Sequence, residues 1–101
     1  MKLLHLTFHF EFADRIEAIL EHNGVESFVR YPMMQGKDVG GEKHYNTQVH
    51  PGALTIIHAQ IEDGKVAPLF KELKEFRDAR EAHNHLEAVA LAIEQALERK
   101  A

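Results

Sequence analysis

Histidine is the residue type in this chain with the most chemistry to offer. Eight of the 101 residues are His, at positions 5, 9, 22, 44, 50, 58, 83 and 85, and there is no cysteine. An imidazole can act as a general base, titrate near neutral pH, or bind zinc, copper or nickel. Glu42, His44 and His50 fall within one stretch, GGEKHYNTQVHPG, at 40–52. A loop can wrap three such ligands round an ion, although the spacing matches no established motif and a fourth ligand or a water is needed. His83 and His85 are two apart. On a strand they point the same way and can share an ion or a carboxylate; otherwise they mark a solvated strand start. The metal candidates are therefore His44, His50, His83 and His85, for a divalent cation. Without cysteine there are no disulfides, thiolate zinc sites or thiol catalysis. No Ser-His-Asp order accompanies a nucleophile elbow, and the acids are spread along helical faces. The chain reads as a binding protein rather than an enzyme.

Residues 33–52 admit other readings. The stretch holds four of the six glycines and a Pro-Gly. It is long for a plain hairpin connection, and long loops in compact domains are more often functional. Gly36, Gly40 and Gly41 could turn backbone amides toward an anion, with Lys37 and Lys43 adding charge. GKDVGGEK is not the phosphate-loop pattern, however, because no Ser or Thr follows Lys43. Tyr45, with Glu42, Lys43 and His44 beside it, also suits a protein-docking loop, since aromatics anchor interfaces.

The elements that must position these residues follow from periodicity. KLLHLTFHF, 2–10, alternates: Leu4, Leu6, Phe8 and Phe10 face one way, Leu3, His5, Thr7 and His9 the other. Residues 12–23 switch to a helical stripe of Phe12, Ile16, Ile19 and Leu20, closed by Gly24. VESFVRY, 25–31, alternates again, and so does ALTIIHAQIE, 53–62. Asp63-Gly64 makes a turn. A second helix spans 65–80, with Pro68 in its first turn, and Glu72, Glu75, Arg77 and Arg80 as surface pairs. The last segment fits a helix or a strand. A βαββα unit leaves an open sheet edge, which favours a strand at 86–94 followed by a short C-terminal tail helix. The expected fold is one α+β domain over 1–101: a ferredoxin-like βαββαβ sandwich, two helices on one face of an antiparallel sheet.

The other sheet face carries Leu3, His5, Thr7 and His9, with Leu54, Ile56, His58 and Gln60. That is too apolar for water and too polar for a dry core, so it predicts a homo-oligomer. His5, His9 and His58 converge there if strands one and three are neighbours, either as hydrogen-bonding groups or as a metal site. The net charge of −4, with no basic block, excludes a nucleic-acid footprint. The N-terminus alternates instead of forming a signal peptide. No apolar run approaches the roughly 18 residues of a membrane span, so no membrane insertion is expected.

The layout of KLLHLTF, IEAIL with its glycine cap, VESFVRY, a long Gly-rich loop with Tyr45, ALTIIHAQI, a second helix and a last strand resembles the PII-like signalling proteins, over nearly the whole chain. That resemblance implies a cytoplasmic homotrimer that binds a small effector, often an adenine nucleotide, in clefts between subunits. It implies that residues 33–52 form a flexible loop that signals to a partner protein, with Lys37, Gly41 and Gln48 near its base facing the ligand. Nitrogen-regulator members carry a second Gly-rich loop, T-G-x-x-G-D-G-K, after the second helix. Here that region reads FRDAREAHNHLEA, where Arg77 and Arg80 can supply charge. The layout is also similar to that of the trimeric, metal-linked CutA proteins, which makes a histidine-based divalent metal-binding trimer the alternative.

Overall fold

The computed structural model describes residues 1–34 and 54–100. Its elements are β1 (Lys2–His9), a 3-10 turn (Phe10–Phe12), α1 (Ala13–His22), β2 (Phe28–Met34), β3 (Leu54–Ile61), α2 (Asp63–Ala79), a 3-10 turn (Glu81–His83) and β4 (Glu87–Ala92). The strands form one antiparallel sheet in the order β2-β3-β1-β4. This is the expected ferredoxin-like α+β sandwich. β4 fills the edge beside β1, pairing from Lys2↔Ala92 to Thr7↔Glu87.

Alternation in the central strands builds the core. Leu4, Leu6 and Phe8 of β1 and Ile57, Ala59 and Ile61 of β3 are buried against the helices. α1 meets them with Ile16, Ile19 and Leu20, spaced to share one helical face, and α2 with Leu69 and Leu73. Helix packing is reinforced at the end of α1. Glu72 of α2 accepts hydrogen bonds from His22 Nδ1 and Asn23 Nδ2, both 2.9 Å. The His22 bond, then the Asn23 bond, hold the Glu72 carboxyl below its ordinary value. That tie is therefore complete above the normal carboxylate range and is lost only as pH falls through the lowered value.

Four expectations are corrected. Residues 93–100 carry no helix. Leu97 is fully exposed, so the tail has nothing to pack on, and a helix this short does not persist alone. β1 ends at His9; Phe10 enters the 3-10 turn and is largely exposed. β2 lies later than expected and takes in Pro32, Met33 and Met34. Proline is tolerated there because β2 is an edge strand and its pairing is irregular between Tyr31 and Met34. Asp63-Gly64 opens α2 rather than preceding it, which places Pro68 inside the helix instead of in its first turn.

α1 ends in a Schellman closure. Val25 N donates to Leu20 O at 2.9 Å and Gly24 N to Glu21 O at 3.0 Å, with Gly24 at φ +83°. Both Val25 and Leu20 are buried, which ties the helix end to the core. A side chain at 24 would be strained in this backbone conformation, and its Cβ would lie 2.6 Å from Lys65 Nζ. Because Lys65 can move aside, the backbone strain dominates. Gly24→Ala is expected to lower stability by about 1 kcal/mol, measured as a reduced urea midpoint with an unchanged slope.

Candidate functional site

The helices cover one sheet face and leave the other open. The register aligns Leu3, His5, Thr7 and His9 of β1 with Gln60, His58, Ile56 and Leu54 of β3. β2 adds Val29 and Tyr31 on the same side, opposite His58 and Ile56. β4 adds Glu87, Val89 and Leu91, opposite Thr7, His5 and Leu3. Val29, Tyr31, Val89 and Leu91 are 57, 40, 45 and 51% exposed. Large apolar groups at that exposure, concentrated on one face, mark a surface built to be covered.

At the middle of this face sits a histidine pair. His5 and His58 are directly opposed across the β1–β3 ladder, and His5 Nδ1 lies 2.9 Å from His58 Nε2. Thr7 Oγ1 lies 3.2 Å from the other nitrogen of His5. Tyr31 meets His58 edge-on, with ring centroids 5.1 Å apart. Two of the three histidines expected to converge do so. His9 does not, because it lies at the strand end, where its Nδ1 accepts from Glu11 N at 3.2 Å and its ring stacks on Phe10.

His83 and His85 are separated. Residues 81–83 form a 3-10 turn instead of a strand start, so the two side chains do not share a face. His83 is buried while His85 is exposed. The His83 ring lies parallel to Phe76 with centroids 3.9 Å apart, meets the edge of Phe12 at 4.6 Å, and donates from Nδ1 to Phe76 O at 2.7 Å. Its Nε2 is buried without a partner. His83 is thus an aromatic packing element, and the structure does not bring it together with His85. Among the described residues, no group of three or more His, Asp or Glu side chains is placed to hold a metal ion.

Arg77 borders an open groove of about 870 Å³ between α2 and β4, together with Lys71, Lys74, Phe70 and Leu86. Arg77 Nε donates to Asp78 Oδ1 at 2.8 Å and Lys74 Nζ to Asp78 Oδ2 at 2.9 Å. These bonds, Arg77 first, hold the Asp78 carboxyl down at about 2. Arg80 caps α2 with extended backbone and is exposed; it does not border this groove. Lys37, Gly41, Gln48, Glu42, Lys43, His44, Tyr45 and His50 lie outside the described residues.

The open face on β1 and β3 was expected from the sequence, but the share of β2 and β4 was not. The signal was present in VESFVRY and EAVALA, whose alternation puts Val29, Tyr31, Val89 and Leu91 on that side.

No family model and no curated protein matches the chain. Solved structures do match its fold. One is CPII, a nitrogen regulatory PII-like protein from Thiomonas intermedia K12, bound to ADP, AMP and bicarbonate. It superposes with a TM-score of 0.70 at 20% identity, covering 89% of this chain and 88% of that one. The fold is that of the PII-like proteins. The apo form of CPII superposes at 0.62 with 19% identity, covering 89% of each chain. A candidate PII-like signalling protein from Thermus thermophilus gives 0.59 at 12% identity, covering 88% of this chain and 78% of that one. In this PII-like fold, no helix among the described residues is long and apolar enough to cross a membrane.

One prediction separates packing from ligand chemistry. His83→Ala removes a ring stacked on Phe76 and set edge-on to Phe12 and is expected to cost about 2–3 kcal/mol, read from chemical unfolding. Zinc uptake by the folded variant is expected to equal that of the parent; a loss of uptake would restore a ligand role to His83.

Proposed function

We propose that this chain is a PII-like regulatory protein. It assembles as a homotrimer through the open sheet face, binds a small effector of the adenine-nucleotide class at clefts between copies, and reports occupancy to a partner protein through residues 33–52. One observation carries this reading: a near end-to-end match to the fold of CPII, whose structure holds ADP, AMP and bicarbonate. The apolar open face supports self-association, and closed cyclic symmetry is the usual solution for such a surface. The protein is expected to act in the cytoplasm without catalysing a reaction.

In mechanism, the effector bridges two copies, so its binding energy favours one arrangement of the segment that follows β2. That arrangement then differs in its affinity for the partner. Lys37, Gly41 and Gln48 are the candidate contacts from that segment. Arg77 and Arg80 are the candidate phosphate cations. Arg77 is already engaged by Asp78, so a phosphate must compete with that carboxylate, and the nucleotide is expected to bind modestly.

Calorimetric titration with ADP and AMP, each with and without bicarbonate, tests this. The expected result is saturable nucleotide binding that Arg77→Ala weakens by about tenfold. No heat and no complex with either nucleotide would reject the sensor reading. Val89→Asp with Leu91→Asp is expected to convert the trimer to a folded monomer in sedimentation velocity. Deleting 38–46 is expected to leave fold and trimer intact while partner binding is lost; an unfolded product would count against a signalling role for this segment.

A further inference from the structure

The His5–His58 pair is not part of the hydrophobic core: both rings lie on the open face of the sheet. Nor does nucleotide binding in the proposed clefts call on them. A face meant only to be covered by apolar contact would be better served by aliphatic residues at both positions, because burying polar rings costs free energy unless they are fully bonded. Two imidazoles directly opposed on neighbouring strands instead resemble half of a coordination sphere.

The distances fit such a site. Zinc binds imidazole nitrogen at about 2.0–2.1 Å in tetrahedral geometry, which sets two ligating nitrogens about 3.3 Å apart. His5 Nδ1 and His58 Nε2 are 2.9 Å apart. Turning the two part-buried rings off their mutual hydrogen bond, with release of the proton between them, opens the nitrogens to that spacing and admits the ion. Thr7 supplies the orienting contact. Its hydroxyl lies 3.2 Å from the remote nitrogen of His5, where it can accept that N–H and leave the Nδ1 lone pair directed at His58. Metal-bound histidines almost always have their second nitrogen held in this way. Glu87, opposite Thr7 across the β1–β4 ladder, adds a carboxylate on the same face.

We propose that His5 and His58 form a divalent transition-metal site, of the zinc class, that is completed by the same face of the neighbouring copies in the assembly. One chain supplies two imidazoles, fewer than the four ligands of a closed zinc site, so the site requires assembly; in this it rests on the self-association proposed above. The ion would link copies at the centre of the face and make their association depend on metal. The site differs from the expected loop ligands His44 and His50 and from the pair His83 and His85.

The test is native mass spectrometry and sedimentation of the full chain, stripped with chelator and then titrated with zinc alone. The parent and a His44→Ala/His50→Ala double variant are expected to take up zinc equally. His5→Ala and His58→Ala are expected to take up none at micromolar zinc, with unchanged far-ultraviolet circular dichroism. Thr7→Val is expected to weaken uptake by about tenfold. Should either alanine variant fail to fold, His5→Asn and His58→Asn replace them. Zinc retained without His5 or His58, or lost only with His44 and His50, overturns the proposal, as does a parent that takes up no zinc. The metal-free oligomeric state is measured in the same experiment. A metal-free trimer that ignores zinc overturns this site and leaves the self-association reading standing. A protein that stays monomeric with and without zinc overturns the self-association reading and, with it, the completed site.

Discussion

The structure depends on the double pairing of β1. This strand is hydrogen-bonded to β3 on one side and to β4 on the other, so neither edge is free and its register is fixed twice. Because side chains alternate, that register fixes two surfaces together. Leu4, Leu6 and Phe8 go to the helices; Leu3, His5, Thr7 and His9 go to the open face. A slip of one residue would exchange the two sets and bury His5 and Thr7 in the core. The core and the candidate site are therefore two sides of one strand, and neither can shift without the other.

The two faces carry different costs. The helix side is closed by aliphatic residues, Phe8 and two aromatic–histidine contacts at its end. There His83 fills space between Phe12 and Phe76 at the cost of one buried, unpartnered nitrogen. The open side keeps large apolar groups in water and places a polar pair at its centre. Burial against further copies of the chain would remove the first cost and sharpen the second. The pair must then be fully bonded, either to each other and Thr7 or to an ion.

The helix termini show how local chemistry serves this plan. Gly24 turns the chain out of α1 in the left-handed region and returns Val25 to the core. Asn23 and His22 then link that end to Glu72. Together these contacts fix the position of α1 against α2 over the sheet. They lie on the side of the sheet opposite the His5–His58 pair, so they leave the open face unconstrained.

Several features were legible in the sequence. The alternation of β1 and β3, the stripes of α1 and α2, the Gly24 cap and the need for a fourth strand could be read directly, because each is a local period or a local backbone requirement. The same alternation placed His5 and His58 on one face. Other features depended on contacts between distant residues. The fate of 93–100 turned on the lack of a surface for Leu97, although its helical propensity is good. His83 and His85 parted because a 3-10 turn docked one ring onto Phe76. The 2.9 Å approach of His5 to His58, with Thr7 behind it, required the β1–β3 register, which only the assembled sheet supplies. The sequence by itself determined which residues would face the core and which would not, since side-chain period is a property of the chain. Tertiary structure alone decided which of the outward residues would meet, since that is set by how strands separated by some fifty residues come to lie side by side.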